Sequence, residues 1–246
     1  MFVYDSIPSI IVKDSVLPVD YCQYVIDLAK DRGTVYQSIN SNGKELADDK
    51  RTSSGIGIDV GEDDAMDEIF EEVSSLCRLP MTRAEPMNIQ KYLPGEKYEA
   101  HWDAMPSHED APESFKLKES GNRVATAIVY LNDTDAGTVF PHLGIGVQGI
   151  QGRLLIFGNL GEDKEPHPLS MHMGTPPMEG EKWILTIWYR EKDFMHTKKQ
   201  LKALGKIKLA GMKKKKDTTK FDPEKHQESV MVEAKKIMSN RGSMPL

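Results

Sequence analysis

Two side chains with metal-binding chemistry, His101 and Asp103, lie two residues apart. Side chains two apart on a β-strand leave the same face. An imidazole and a carboxylate on one face are two of the three ligands of a 2-His-1-carboxylate site, which holds Fe(II) and leaves coordination positions open. A His-x-Asp pair alone is common on protein surfaces, so this interpretation needs a third ligand elsewhere in the chain.

The third ligand is sought among the other histidines of the seven in the chain. His172 is the first choice, because it lies in a strand-like stretch that leads on to Lys182 and Trp183. His142, in a turn-like stretch after Phe-Pro, is the second choice. His167 lies five residues before His172, so a regular strand would point the two to opposite faces unless it contained a bulge.

Lys182 enters the apolar run 183–189. Burying an unpaired ammonium group is costly, so this position predicts an anionic partner, and a dicarboxylate co-substrate would supply one. The alternative is a lysine at the strand edge whose ammonium reaches water. Tyr92, nine residues before His101, offers a hydroxyl to the same carboxylate or else packs as an ordinary aromatic side chain.

The elements that must position these residues are predicted to be mainly β-strands with flanking helices. Short β-like runs separated by Gly, Pro and Asn favour an all-β sandwich or barrel. They occupy residues 86–92, 98–103, 123–131, 137–142, 153–158, 167–172 and 182–190, and a further edge strand is predicted within 8–16.

Two helices are predicted before these strands and are expected to cover one outer face of the β-structure. The first begins near Val19 and ends at Gly33, and the second covers residues 63–77. Cys22 and Cys77 fall within their apolar patterns, so both are expected in the core and not in a disulfide framework.

The chain divides into three predicted regions. Residues 1–85 form a supporting region that includes a polar, mobile loop at 34–56, and residues 86–192 form the β-core. Residues 193–246 form a tail in which nine lysines and no acid lie between 197 and 216. We expect the tail to be a solvated segment. The alternative interpretation is that its lysines bind nucleic acid or an acidic partner.

The composition says little about partners, because the net charge is a modest −6. No apolar run approaches the ~18 residues that span a bilayer, so no membrane contact is expected. The N-terminus shows no basic region followed by an apolar one, and a cytoplasmic location is the expectation.

Several short motifs occur in an order and spacing that resemble the prolyl 4-hydroxylase family of Fe(II)/2-oxoglutarate dioxygenases. They are Tyr92-x-x-Gly95-x-x-Tyr98-x-x-His101-x-Asp103, Arg123-x-x-Thr126, Tyr130-Leu-Asn132, Gly137-Thr-Val-Phe-Pro141, Gly152-x-x-Leu155-x-Phe157, Ser170-x-His172-x-Gly174, Gly180-x-Lys182-Trp183 and Trp188. The similarity covers about residues 8–192 and reaches back to Arg51-Thr-Ser.

The resemblance implies a double-stranded β-helix, or jelly roll, with the N-terminal helices packed on one face. It implies three iron ligands, His101, Asp103 and His172. Lys182, with Tyr92 and Thr138, would bind the distal carboxylate of 2-oxoglutarate, and ascorbate would be a further cofactor. The residues implied for the peptide substrate are Arg123, Trp188 and Arg51, the last within the family's mobile loop.

The implied activity is hydroxylation of proline in a peptide or protein, with decarboxylation of 2-oxoglutarate to succinate and CO₂. Two departures leave the substrate open: 135–138 reads Asp-Ala-Gly-Thr where the family usually has Gly-Gly-Glu-Thr, and 173–178 carries two methionines and two prolines. The alternatives are a 2-oxoglutarate hydroxylase of another side chain or of a small molecule, and a catalytically silent nucleic-acid-binding module. A zinc hydrolase would not explain Lys182.

Overall fold

The structure is a computed structural model, and it describes residues 8–36, 39–41, 44–46, 50–106, 119–194 and 205. The described strands are β1 (Ile10–Lys13), β2 (Val35–Tyr36), β3 (Ile39–Ser41), β4 (Lys44–Leu46), β5 (Ser54–Ile58), β6 (Met87–Tyr92), β7 (Tyr98–His101), β8 (Arg123–Tyr130), β9 (Gly137–Phe140), β10 (Ile145–Gln148), β11 (Leu154–Gly158), β12 (His172–Gly174) and β13 (Lys182–Arg190).

Two α-helices precede most of the strands. Helix α1 (Val19–Arg32) ends at Gly33, whose φ of 79° is a left-handed value that glycine adopts without a Cβ penalty. Helix α2 (Asp64–Cys77) begins after Asp63, whose carboxylate accepts a hydrogen bond from the backbone N–H of Met66. Neither of these two described helices has the length and apolarity required to cross a membrane.

The strands form a major sheet of seven strands and a minor sheet of four, with β3 and β4 paired separately. The major sheet has the order β1-β11-β8-β13-β6-β5-β2, and the minor sheet has the order β10-β9-β12-β7. All strand pairs are antiparallel. The double-sheet arrangement confirms the predicted mainly-β jelly roll.

The major sheet is covered on both faces, and strand β13 shows how the sequence achieves this. All of its 9 residues are buried. Trp183, Leu185 and Ile187 belong to the core cluster that contains the apolar faces of α1 and α2. Ile184 belongs to a second cluster, which contains Phe140 of the minor sheet. Alternation along one strand therefore directs every second residue to the helices and the others to the space between the sheets.

Most predicted elements are found close to the predicted bounds. Strand β1 lies at the edge of the major sheet, the two helices pack on that sheet's outer face, and Cys22 and Cys77 are buried free thiols. Residues 34–56 lie partly outside the described residues, and their described parts include β2, β3, β4 and the start of β5. The mobility of this loop and the three-region division stay predictions. The lysine-rich tail lies outside the described residues, apart from 193–194 and 205.

One predicted strand was wrong in detail, and strand β10 was not predicted. The predicted strand at 167–172 is a 3₁₀ turn at Pro168–Ser170 followed by β12 at His172–Gly174. Pro168 lacks a backbone N–H and cannot donate to a strand neighbour, so pairing starts only after it. Strand β10 at Ile145–Gln148 was not predicted, because glycines at 144, 146 and 149 interrupt the apolar alternation.

Phe70 on α2 offers a test of how much the helix layer stabilises the sheet. Its side chain is 2% exposed within the helix-facing core. Phe70→Ala is expected to lower the free energy of unfolding by about 3–5 kcal/mol, because it removes buried apolar area and leaves a cavity. Denaturant unfolding measures the change. Glu72→Ala, at an exposed position of the same helix, is expected to change the free energy by less than about 0.5 kcal/mol. Equal effects of the two substitutions would contradict the packing described.

Candidate active site

The structure brings His101, Asp103 and His172 together between the two sheets. One potential ligand atom from each residue lies within 4.8 Å of the others. His101 Nε2 is 3.5 Å from Asp103 Oδ1, and His172 Nε2 is 3.6 Å from Asp103 Oδ2. The His142 imidazole, the second choice for the third ligand, lies on the exposed turn Pro141–Leu143 and is not part of this group.

Strand pairing explains why the two histidines meet. His101 on β7 pairs directly with His172 on β12, although they are far apart in sequence. His101 is the last residue of its strand, and Asp103 lies just beyond in a bend. The same-face argument assumed that the strand continues to Asp103, but the strand ends two residues earlier, at His101.

Backbone carbonyls fix the orientation of both imidazoles. His101 Nδ1 is 2.8 Å from the carbonyl oxygen of Glu99, and His172 Nδ1 is 3.0 Å from that of Ser170. A carbonyl only accepts, so in each neutral ring Nδ1 carries the proton and the Nε2 lone pair faces the other ligands. This arrangement is typical of metal-binding histidines.

The protonation states also suit metal binding. Burial lowers the pKa of His172 to about 4, although the nearby Asp103 opposes this shift. The ring is therefore neutral at pH 7 and can donate its lone pair. Burial raises the pKa of Asp103, but His172 and His101 outweigh burial and hold that pKa far below its usual range. Asp103 is therefore ionised.

Aromatic rings pack around the two imidazoles. The ring of Tyr98 stacks on that of His101, with 3.5 Å between centroids. Phe157 meets His172 edge to face at 4.6 Å, and Phe140 lies 5.8 Å from the same ring. This apolar surround lowers the local dielectric and restricts water around the ligands.

Lys182 is buried, with 1% of the residue exposed. Its ammonium donates a hydrogen bond to the carbonyl oxygen of Thr175 at 2.5 Å and lies 3.9 Å from the ring centroid of Tyr92. Lys182 pairs with Tyr92 across β13 and β6. The Tyr92 hydroxyl donates to Gln90 Oε1 at 2.9 Å. The Lys182 ammonium and the Tyr92 ring are therefore in contact, and the predicted role of the Tyr92 hydroxyl in binding a carboxylate stays a prediction.

The triad and Lys182 line one cleft of about 420 Å³, its open mouth included. Thr138 and Trp188 line the same cleft, and Thr138 Oγ1 accepts a hydrogen bond from Tyr130 at 2.7 Å. The cleft thus has three metal-binding side chains at one position and an ammonium group at another. This spacing of functions suits a dicarboxylic acid that contacts both.

Arg123, implied as a substrate-binding residue, is held by an acid that the sequence analysis did not single out. Its guanidinium makes two hydrogen bonds to Glu85, at 2.7 and 2.9 Å, and lies 4.1 Å from the Trp188 ring centroid. Arg190 also donates to Glu85, at 2.6 Å. No periodic pattern marks Glu85, because it precedes β6 and its partners lie far along the chain.

Arg51 lies next to Tyr98, whose ring stacks on His101. Its guanidinium carbon is 4.8 Å from the Tyr98 ring centroid, its Nε donates to Ser53 Oγ at 3.3 Å, and its backbone bridges that of Tyr98. Arg51 is 8% exposed, and one of its terminal nitrogens has no partner among the described residues. Arg51 is thus close to the triad and is connected to it through the Tyr98 ring.

Glu85 gives the stability of the protein a specific pH dependence. Burial raises the pKa of Glu85, but Arg123 and Arg190 outweigh burial and hold it below its ordinary value. A carboxyl with a lowered folded-state pKa stabilises the fold above its unfolded pKa, about 4.3, and this stability is lost as the pH falls through the folded pKa.

Glu85→Gln is therefore expected to destabilise the protein by about 3 kcal/mol at pH 7, since the buried guanidinium of Arg190 and the half-buried guanidinium of Arg123 lose their counter-ion. The gap to the wild-type protein should shrink at pH 3, because this pH lies below the unfolded-state pKa of about 4.3, so the unfolded wild-type protein gains a proton that the folded carboxyl takes up only at lower pH. Denaturant unfolding of both proteins at the two pH values measures the gap. A gap that stays constant or widens toward pH 3 would contradict the ion pairs described.

Comparison with known proteins places this cleft in a family. Residues 87–190 match the family described as the 2OG-Fe(II) oxygenase superfamily. Prolyl 4-hydroxylase 1 of Arabidopsis thaliana is 30% identical over 203 residues, which cover 75% of this chain and 70% of that protein. The chain belongs to the prolyl 4-hydroxylase family. Prolyl 4-hydroxylase 2 of the same plant is 33% identical over 199 residues, covering 70% of this chain and 64% of that protein.

Solved prolyl hydroxylases share the fold. The viral collagen prolyl hydroxylase of Paramecium Bursaria Chlorella virus-1, solved as a 2OG complex, superposes with a TM-score of 0.59 at 22% identity and covers 74% of this chain and 95% of that chain. A prolyl-4-hydroxylase of Pseudomonas putida gives a TM-score of 0.52 at 19% identity, covering 74% and 92%. These likenesses confirm the jelly-roll fold.

Family membership brings Fe(II) and 2-oxoglutarate as the metal and the co-substrate. The residues present fit both groups. Two imidazoles and one carboxylate form the donor set for Fe(II), and Lys182 lies in the same cleft, where it can meet a carboxylate. The chain spans 64% of the length of some curated relatives it matches, including prolyl 4-hydroxylase 2, so the activity of the whole protein is a matter for proposal.

Proposed function

We propose that this protein is an Fe(II)- and 2-oxoglutarate-dependent prolyl 4-hydroxylase that acts on proline in a peptide or protein. The observation that carries the proposal is the shared cleft, in which His101, Asp103 and His172 converge while Lys182 lies in the same wall. Membership of the prolyl 4-hydroxylase family supports the reaction and the choice of proline.

In this proposal the triad holds Fe(II) through His101 Nε2, His172 Nε2 and the Asp103 carboxylate. Three protein ligands leave three positions on a six-coordinate ion. The backbone carbonyls of Glu99 and Ser170 keep both Nε2 atoms turned toward the metal. The chain therefore supplies a pre-oriented ligand set whose rings need no rearrangement when the metal binds.

Lys182 binds the distal carboxylate of 2-oxoglutarate, with Tyr92 and Thr138 as neighbouring hydroxyl donors. A charge-assisted hydrogen bond in a buried pocket is stronger than one in water. The ammonium already lies fixed between the Thr175 carbonyl and the Tyr92 ring, so little side-chain entropy is lost on binding. Lys182 thus orients the co-substrate with its 2-oxo acid end toward the triad.

When bound, Fe(II) couples decarboxylation of 2-oxoglutarate by O₂, which gives succinate and CO₂, to hydroxylation of an unactivated C–H bond of proline. The protein's own contribution is to bind, orient and exclude water. Ile128, Ile184 and Trp188 provide apolar wall in the same cleft. This wall limits the access of water to the reacting groups.

Arg123, Trp188 and Arg51 are proposed to contact the peptide. Arg123 is stacked on Trp188 and fixed by Glu85, which gives a rigid, partly exposed surface at the cleft. Arg51 belongs to the predicted 34–56 loop and contacts the Tyr98 ring, which stacks on the ring of His101. An open cleft with such a surface suits a peptide better than a small molecule enclosed on all sides.

Ascorbate is proposed as the reductant that returns oxidised iron to Fe(II). Family membership does not favour the two alternatives, which are a hydroxylase of another target and a silent nucleic-acid-binding module. A cytoplasmic location remains part of the proposal.

Succinate formation tests the proposal. Purified protein is incubated with Fe(II), ascorbate, 2-oxoglutarate and pairs of peptides that differ only by alanine in place of each proline. We expect succinate to form faster with the proline peptide than with its alanine partner. Equal succinate formation with both peptides would support an oxygenase but contradict proline as its target. No succinate under any condition would contradict the proposal that the protein is an enzyme.

A further inference from the structure

The Asp103 carboxylate is held by a hydroxyl that the proposed function does not use. Thr126 Oγ1 donates to Asp103 Oδ2 at 2.6 Å. Thr126 is completely buried on β8, and its strand neighbours on both sides are apolar. A short hydrogen bond between a hydroxyl and an ionised carboxylate is among the stronger types, so it fixes the rotation of the carboxylate.

The direction of this hydrogen bond is set by Asn159, directly after β11. Asn159 Nδ2 donates to Thr126 Oγ1 at 2.9 Å, and Asn159 is also completely buried. An amide nitrogen can only donate, so the single hydroxyl proton of Thr126 remains for Asp103. Asn159 Oδ1 has no partner among the described residues.

Asn159 is also connected to a second triad residue. Its backbone carbonyl accepts a hydrogen bond from the His167 backbone N–H at 2.9 Å. The Ser170 hydroxyl donates to the His167 carbonyl at 2.8 Å and lies 3.4 Å from the Asn159 carbonyl. The carbonyl of Ser170 in turn is the partner of His172 Nδ1. Asn159 therefore supports Asp103 through Thr126, and it supports His172 through the turn of His167 and Ser170.

We propose that Thr126 and Asn159 are positioning residues that keep Asp103 a ligand through one oxygen. Carboxylates bind metals through one or two oxygens. A carboxylate bound through both would leave two open positions on a six-coordinate ion, and the 2-oxo acid group alone occupies two. With Oδ2 engaged by Thr126, Asp103 would bind the metal through Oδ1, which lies 3.5 Å from His101 Nε2, and the co-substrate and one further ligand would both find open positions. This inference rests on the metal site of the proposed function.

Thr126→Val tests the inference, because valine keeps the shape of threonine and removes the hydroxyl. The probe is Mn(II), whose free concentration is measured by electron paramagnetic resonance. We expect the Mn(II) dissociation constant to rise about 10- to 100-fold. At saturating Mn(II), the 2-oxoglutarate dissociation constant, measured by calorimetry, is expected to rise at least about tenfold, because the released Asp103 oxygen competes with the oxygens of the co-substrate for positions on the ion.

Two variants show whether the hydroxyl is responsible. Thr126→Ser restores a hydroxyl and is expected to bind both ligands within about threefold of wild type. Thr82→Val is the matched control, because Thr82 Oγ1 donates a hydrogen bond of 2.7 Å to Asp193 outside the cleft. This variant should leave both dissociation constants unchanged. Melting temperatures of the metal-free proteins report on folding independently of the metal.

Asn159→Asp tests the direction of the chain of hydrogen bonds without touching Asp103. An ionised carboxylate at 159 accepts the Thr126 proton and withdraws it from Asp103. We expect the same weakening of Mn(II) and 2-oxoglutarate as in Thr126→Val. If this variant does not fold, the comparison of valine with serine at position 126 still decides the question.

Unchanged constants in Thr126→Val would overturn the inference, and so would a serine variant that binds as weakly as the valine variant. Neither result would affect the proposed function. By contrast, failure of the wild-type protein to bind Mn(II), or equal Mn(II) binding by His172→Ala, would overturn the metal site itself and this inference with it.

Discussion

Replacing Lys182 with methionine is expected to raise the dissociation constant for 2-oxoglutarate about 100-fold, which corresponds to about 3 kcal/mol. Methionine has similar length and no charge, so the co-substrate's distal carboxylate would enter a buried pocket without its cation. The effect should be large because Lys182 is 1% exposed and already fixed against Thr175 and Tyr92. Calorimetric titration of the Mn(II)-loaded protein measures the constant.

Lys91→Met is the matched control for this prediction. Lys91 precedes Tyr92 on β6, and its ammonium lies 5.7 Å from the Trp183 ring centroid, on the helix-facing side of the sheet. The co-substrate constant should not change in this variant. A Lys182→Met protein that folds and binds 2-oxoglutarate as tightly as wild type would show that the dicarboxylate is bound elsewhere.

His172→Ala is expected to weaken metal binding by more than about 100-fold. Loss of a hydrogen-bonding partner behind a ligand already costs about 10- to 100-fold, and this substitution removes the ligand. His172 is 4% exposed and packs against Phe140 and Phe157, so alanine at this position leaves an apolar gap in place of a ligand. Titration with Mn(II) measures the affinity.

His142→Ala separates the two histidines that the sequence offered as third ligand. The His142 imidazole is exposed on the turn after β9 and lies outside the triad. Its variant should bind Mn(II) like the wild-type protein. If His142→Ala lost the metal and His172→Ala retained it, the ligand set of His101, Asp103 and His172 would be wrong.

Much of the fold could be predicted because local patterns carry it. The apolar spacing of α1 and α2 gives their inner faces, and Gly33 marks the end of α1. In β13 every second residue faces the cleft, namely Lys182, Ile184 and Thr186. The residues between them face the helices. A period of two is therefore enough to separate Lys182 from the helix-facing residues of the same strand.

The contacts behind the site could not be predicted in the same way. The contacts of Glu85, Thr126 and Asn159 are with residues far away in the sequence. Such contacts depend on how the strands pair, and the sequence of a single segment does not determine that register. Thr126 left one signal, a hydroxyl between alanines in an otherwise apolar strand, but nothing local shows that its partner is Asp103. Asn159 left none, because an asparagine after a strand is also an ordinary turn residue.

The most direct test of the central claim is to find the oxygen atom on proline. Wild-type protein is incubated with Fe(II), 2-oxoglutarate, ascorbate and proline-containing peptides, including collagen-like and elongation-factor-like sequences, and fragment mass spectrometry locates any added oxygen. We expect one added oxygen on a proline, absent without 2-oxoglutarate and absent with His172→Ala. An oxygen placed on another residue, or the same product from His172→Ala, would contradict the account.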